Sequence, residues 1–159
     1  MRQVVRILLQ SLLLSAAALA LPVLASDASV AARLDAQGIQ YTIDRDGDYR
    51  VVYNYAQDNR TQLLFVSGRT ESVGHFTIRD IFSPAGLVER DGLEVKALEL
   101  LTASSMNKLG SWEVRGDVLY FVIKLPDDVD AAALEQAMDI AAETADDMEI
   151  ELSGDLDEL

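Results

Sequence analysis

Two periods run through the apolar positions of this chain. One returns every second residue, as on a strand with one buried face; the other returns every three to four, as on a helix. Residues 91–110 carry the helical period. Leu93, Ala97, Leu100 and Leu101 share a stripe, and Glu94, Lys96, Glu99 and Thr102 lie mostly off it. Asp91 is placed to cap this helix, Lys108 suits the negative end of its dipole, and Gly110 supplies a left-handed residue to stop it. Residues 112–115 then alternate, Arg115-Gly116-Asp117 makes a turn, and residues 118–125 alternate back. Leu119, Phe121, Ile123 and Leu125 point one way; Tyr120 and Lys124 point the other. Most of the core is expected on this stretch, with Leu100, Leu101, Trp112, Leu119, Phe121 and Ile123 buried together.

The remaining elements follow the same logic. Residues 26–37 read as a short helix, apolar at Val30 and Leu34 and ended by Gly38. Residues 39–43 alternate as a strand, and 44–48 turn. Residues 49–55 form a second strand, with Arg50, Val52 and Asn54 on one face and Val51, Tyr53 and Tyr55 on the other. Residues 57–60 turn again, and 61–66 make a third strand, so the first half is a meander. Residues 67–90 are the least readable: 76–81 fits a strand or one turn of helix, and Ser83-Pro84-Ala85-Gly86 reads as a loop by its breakers. Pro126-Asp127-Asp128 opens a last helix with a stripe of Leu134, Ala137, Met138, Ala141, Ala145 and Met148. The alanines let it lie close to a sheet, and Gly154 ends it. The order is helix, three strands, an ambiguous segment, helix, two strands, helix. Tight turns favour antiparallel pairing, so the expected class is α+β, an antiparallel sheet of about five strands with flanking helices.

Residues 1–25 break this pattern. Arg2 and Arg6 precede an almost wholly apolar run, Pro22 interrupts it late, and Val23 and Ala25 put small residues where a signal peptidase reads. The reading is a cleavable secretory leader cut after Ala25, leaving Ser26 first; the rival is an uncleaved membrane anchor. Residues 26–153 then make one domain, and 154–159 an acidic tail. Without Arg2 and Arg6 the chain keeps 11 Lys and Arg against 27 Asp and Glu, a net charge of −16. That balance argues against nucleic acid and against stable membrane association after cleavage, since both need positive surface. Zero cysteines exclude disulfides, thiolate metal sites and a lipidated thiol.

Local motifs carry little chemistry. Asp44, Asp46 and Asp48 mimic the start of a calcium loop, but the sixth and twelfth positions are Tyr49 and Tyr55, not the required Gly and Glu. A hairpin turn is the better reading, with weak loop-type calcium binding as its rival. Arg115-Gly116-Asp117 and Asn59-Arg60-Thr61 match an adhesion tripeptide and a glycosylation sequon, and both read as turns. His75 is the only histidine, and no nucleophile elbow surrounds Ser67, Ser72 or Ser83. There is no glycine-rich phosphate loop, and no cofactor or metal is expected. The acids are too many for any one pair to point to catalysis.

A set of short motifs resembles the YbjN family of bacterial sensory-transduction regulators. They are Leu34-Asp35-Ala36-Gln37-Gly38 with Tyr41 and Asp46-Gly47-Asp48-Tyr49, then Ile78-Arg79-Asp80-Ile81-Phe82-Ser83-Pro84. Met106-Asn107-Lys108-Leu109-Gly110-Ser111-Trp112-Glu113 and Ala145-Asp146-Asp147-Met148-Glu149 complete the set. The resemblance implies a type III secretion chaperone-like fold, contact with a protein partner, self-association as a dimer, and no catalytic residues. The export leader departs from the cytoplasmic secretion chaperones. Candidate partner-binding residues are Tyr120, on the sheet face opposite the helices, and Asp146, Asp147 and Glu149, in a stretch from 127 to 158 without Lys or Arg. Two functions are weighed: an exported, non-enzymatic protein-binding module, and a small periplasmic hydrolase using carboxylates.

Overall fold

The computed structural model describes residues 27–56 and 59–154. The expected leader and its cut, the turn residues Gln57 and Asp58, and the tail beyond Gly154 lie outside the described residues. The elements run α1 (Ala28–Ala36), β1 (Thr42–Ile43), β2 (Tyr49–Tyr55), β3 (Arg60–Val66), β4 (Glu71–Val73) and β5 (Phe76–Leu87). A 3-10 turn (Leu93–Lys96) leads into α2 (Ala97–Met106), followed by β6 (Ser111–Arg115), β7 (Val118–Pro126) and α3 (Ala131–Ser153). The fold is α+β, as expected. The sheet has seven antiparallel strands rather than about five, in the order β1-β2-β3-β5-β7-β6, with β4 paired to the start of β5.

The meander forms as its alternation requires. β2 and β3 pair from Tyr49↔Val66 to Tyr55↔Arg60, with Tyr49, Val51, Leu64 and Val66 buried and Arg50, Val52 and Asn54 exposed. β1 is shorter than the alternation of 39–43 predicts. The Ile39 N–H donates to Leu34 O at 3.0 Å and its side chain packs on the core, so the chain reaches β2 only at Thr42.

Residues 67–90 hold the main surprise. The expected loop at 83–86 is the interior of the twelve-residue β5. Its breakers are tolerated for physical reasons. β3 pairs with β5 only at Phe65↔Phe82 and Val66↔Ile81, and the ladder with β7 has a bulge between Pro84 and Gly86. Where β3 stops pairing, the Gln62 amide takes over, donating to Ser83 Oγ at 2.8 Å and Pro84 O at 2.6 Å. A proline costs little where one side of the ladder has ended. At Gly86 the missing Cβ leaves room for Leu152 Cδ1 and the Asp91 carboxylate, which would stand 2.7 and 3.0 Å from it.

The core also sits elsewhere than expected. α3 lies on β3, β5 and β7, and its stripe of Leu134, Ala137, Met138, Ala141, Ala142 and Ala145 is buried against Val51, Leu64, Ile81, Phe121 and Ile123. Asp130 caps it, accepting from Ala133 N at 2.8 Å. α2 packs on β6 at one end of the sheet and has no buried residue. Leu119, Phe121 and Ile123 are buried as predicted, but Leu100 and Trp112 are only half-buried and Leu101 is 65% exposed. Asp91 does not cap α2; its carboxylate turns back to accept from Leu87 N at 2.7 Å and to pair with Arg90. Nor does Gly110 stop the helix, which ends at Met106. Gly110 (φ 88°) lets the chain cross close to Phe121, where a Cβ would lie 2.7 Å from the ring.

Candidate partner-binding surface

α2 has apolar residues on both sides. Leu93, in the 3-10 turn, is buried and anchors it. Val95 (90%) of the 3-10 turn and Leu98 (78%) and Met106 (72%) of α2 stand exposed, and Leu101 (65%) is exposed at the lip of the groove below. Beneath the helix runs a groove of about 340 Å³ lined by Val88, Leu93, Ala97, Leu100, Leu101, Trp112, Val114 and Leu119, with Glu94 at its rim. Ser104 fastens the far end, where its Oγ accepts the Trp112 N–H at 2.9 Å. The indole meets Phe121 edge-on, with centroids 5.0 Å apart. An ordinary monomer's largest apolar patch is about 300–600 Å². Val95, Leu98, Leu101 and Met106, all more than half exposed on α2 and the turn before it, make up an exposed apolar patch. Lys96 and Lys108 beside Glu94 and Glu99 leave it locally balanced in charge.

Tyr120 lies where the alternation places it, on the helix-free sheet face. Its ring meets Phe82 edge-on at 5.7 Å, Phe82 stacks on Phe65 at 5.2 Å, and the Arg115 guanidinium sits 5.1 Å over Phe82. Arg115 bonds Asp80 at 2.8 Å and Glu113 at 3.0 Å, and Lys124 also pairs with Glu113. Partial burial pushes the Tyr120 hydroxyl up.

The other three candidates separate. Asp147 is exposed. Asp146 and Glu149 instead bond the buried Arg60, at 2.9 and 3.0 Å, tying the end of α3 to the start of β3. Glu149 is fully buried, so it is not presented at the surface. The helical period does carry that result, because Glu149 falls four residues after Ala145 on the apolar stripe. Nearby, Tyr53 donates to Asp139 at 2.9 Å. Burial, then the acids of α3, push the Tyr55 hydroxyl up to about 12.

The aspartate turn is engaged in its own backbone. Asp44 Oδ1 accepts from Asp46 N and Asp48 N, and Asp48 Oδ1 accepts from Gly68 N. Among the described residues no group of three or more His, Asp or Glu could hold a metal. His75 stands exposed at the tip of the β4–β5 hairpin, while Ser83 is buried and donates to Leu63 O.

The sequence reading misses one charged cluster. Arg79 is 1% exposed, bonds Asp127 at 2.6 Å and Asp27 at 2.5 Å, and also donates to Ser67 O. Arg33 reaches the same Asp127 at 3.0 Å. Burial alone would raise the Asp127 carboxyl, but the two guanidinium groups outweigh it and hold it below 3.8. The cluster ties together α1, β5 and the entry to α3. The available signal was Arg79 two residues before Ile81, on the buried parity of β5. No helix among the described residues is long and apolar enough to cross a membrane. Neither the protein-family models nor the curated proteins give a match to the chain.

Proposed function

We propose that this protein is an exported, non-enzymatic protein-binding module of the YbjN type, with a type III secretion chaperone-like fold and a sensory or chaperone-like role in the bacterial periplasm. The carrying observation is the exposed apolar face of α2 and the 3-10 turn before it (Val95, Leu98, Leu101, Met106) over an apolar groove. A helix apolar on both sides is normally covered on both sides. The contact is with protein: the patch is locally balanced in charge, and the acidic surface around it steers partners with basic flanks toward it. Tyr120 and Asp147 are candidates for a second contact area.

Self-association uses the same helix. Glu94 and Glu99 near its start and Lys108 beyond its end complement each other when two copies cross antiparallel about Leu101.

The test compares the full-length exported protein with a Leu98→Ser, Leu101→Ser variant. Sedimentation reports self-association, and retention of purified unfolded client proteins at low and high salt reports binding. Loss of both in a variant that melts like the parent supports the reading. A hydrolase screen runs beside it. Turnover that vanishes with one Asp or Glu substitution, with no client retained at either salt, overturns the reading in favour of the carboxylate hydrolase.

A further inference from the structure

At the opposite edge of the sheet, most of β2 is unpaired on its outer side among the described residues. Thr42 and Ile43 of β1 pair with Arg50 and Tyr49, and among the described residues no strand pairs with the outer edge of β2 from Val51 to Tyr55. In an antiparallel ladder hydrogen-bonded and non-bonded pairs alternate. Asp44 N donates to Asp48 O at 3.0 Å. The pair 44–48 is therefore bonded, 43–49 is not, and 42–50 is. Arg50 turns its N–H and C=O toward β1, and Val52 and Asn54 turn theirs the same way. Tyr53 and Tyr55 turn theirs to β3. Among the described residues, no strand pairs with Val52 or Asn54 on that side, and no other backbone bond reaches them.

A groove of about 440 Å³ runs beside these groups. Residues 51–54 form its floor, Gln40 stands at one side, and Glu135 and Asp139 of α3 wall the other. Ile39 and Gln40, in the chain before β1, line this groove without pairing with β2. Exposed edges are usually blunted by proline, lysine or a bulge. Residues 51–55 carry none of these, and Val52 is 43% exposed. The wall is acidic: α3 contains no Lys or Arg.

We propose that this edge accepts an extended segment of a partner protein as an added strand, with a Lys or Arg of the segment reaching Glu135 and Asp139. Main-chain bonds to Val52 and Asn54 hold the segment, and the acidic wall selects its charge. A second copy fits poorly, since pairing two β2 edges brings two acidic walls together. The site is independent of α2, which packs at the other end of the sheet.

The test uses a fluorescein-labelled seven-residue peptide alternating valine and lysine, read by anisotropy against the full-length exported protein. Two control peptides replace lysine by glutamate or N-methylate the amides along one edge. Val52→Pro removes an outward N–H that β3 does not use, a substitution edge strands tolerate. Melting temperature checks its fold, and the N-methylated peptide tests the same bond without any mutation. The lysine peptide binds, at least tenfold tighter than either control peptide, and Val52→Pro weakens it at least tenfold. Glu135→Gln with Asp139→Asn weakens it severalfold. Binding that ignores N-methylation, or no binding of the lysine peptide, overturns the proposal. So does binding lost with Leu98→Ser, Leu101→Ser but kept with Val52→Pro, which assigns the peptide to α2.

Discussion

α2 and α3 stand on the same sheet with opposite fates. α3 is the less hydrophobic by eye, with alanines and a run of acids, yet it buries seven residues. α2 reads ALELLTASSM and buries none. Small side chains let α3 lie flat on the centre of the sheet, where β3, β5 and β7 are all within reach. Leucines on α2 point to both sides of a helix that packs chiefly on β6 and the adjoining groove, with the end of α3 at its flank. Hydrophobicity along a helix therefore states how much it could bury. Its position over the sheet decides how much it does.

The largest test of this contrast is Phe121→Ala. Phe121 lies under the sheet centre and also touches Trp112, next to α2. The expected loss is about 3–5 kcal/mol by denaturant titration. A melting point within a degree or two of the parent would sink the assignment of the core.

Arg79→Leu asks whether α3 is clamped as well as packed. It leaves Asp127 and Asp27 without their shared cation and is expected to cost about 3 kcal/mol near neutral pH. Both carboxyls are held below 3.8 in the folded protein, Asp27 chiefly by its bond from Ser29 N, Asp127 by Arg79 and Arg33. Groups depressed in this way stabilise the fold above about pH 4 and lose that contribution as pH falls through their folded values. The gap between parent and variant should shrink below pH 4. A constant gap from pH 7 to pH 2 contradicts the clamp.

Ala141→Leu presses on the close approach itself. Ala141 is fully buried against the sheet, so the larger side chain is expected to cost about 1–3 kcal/mol. The smallest effect belongs to Leu101→Ser on the outer side of α2, within about 0.5 kcal/mol of the parent monomer at low concentration. A Leu101→Ser monomer destabilised as much as Ala141→Leu would erase the distinction between the two helices.

Much of the architecture was legible in the residues. The alternation of β2, β3 and β7, the alanine stripe of α3 and the turns at Gly47 and Gly116 are local consequences of side-chain period and backbone freedom. The strand through Pro84 and Gly86 was not, because breakers are tolerated only where neighbouring strands diverge, and divergence is not a local property. Tyr120 was found on its face by alternation. Glu149 was given the wrong role, because its abundant acid neighbours hid its place on the buried stripe, and because Arg60 is 89 positions away in the chain.

By itself the sequence determined the α+β class, the element order around residues 67–90, the acidity and the absence of thiol chemistry. These follow from periods of two and 3.6 and from composition. Only the tertiary structure decided which apolar helix is covered, which acids are buried with Arg60 and Arg79, and which strand edge has no partner among the described residues. Each depends on which long-range neighbour arrives at a given surface, and no local pattern encodes that.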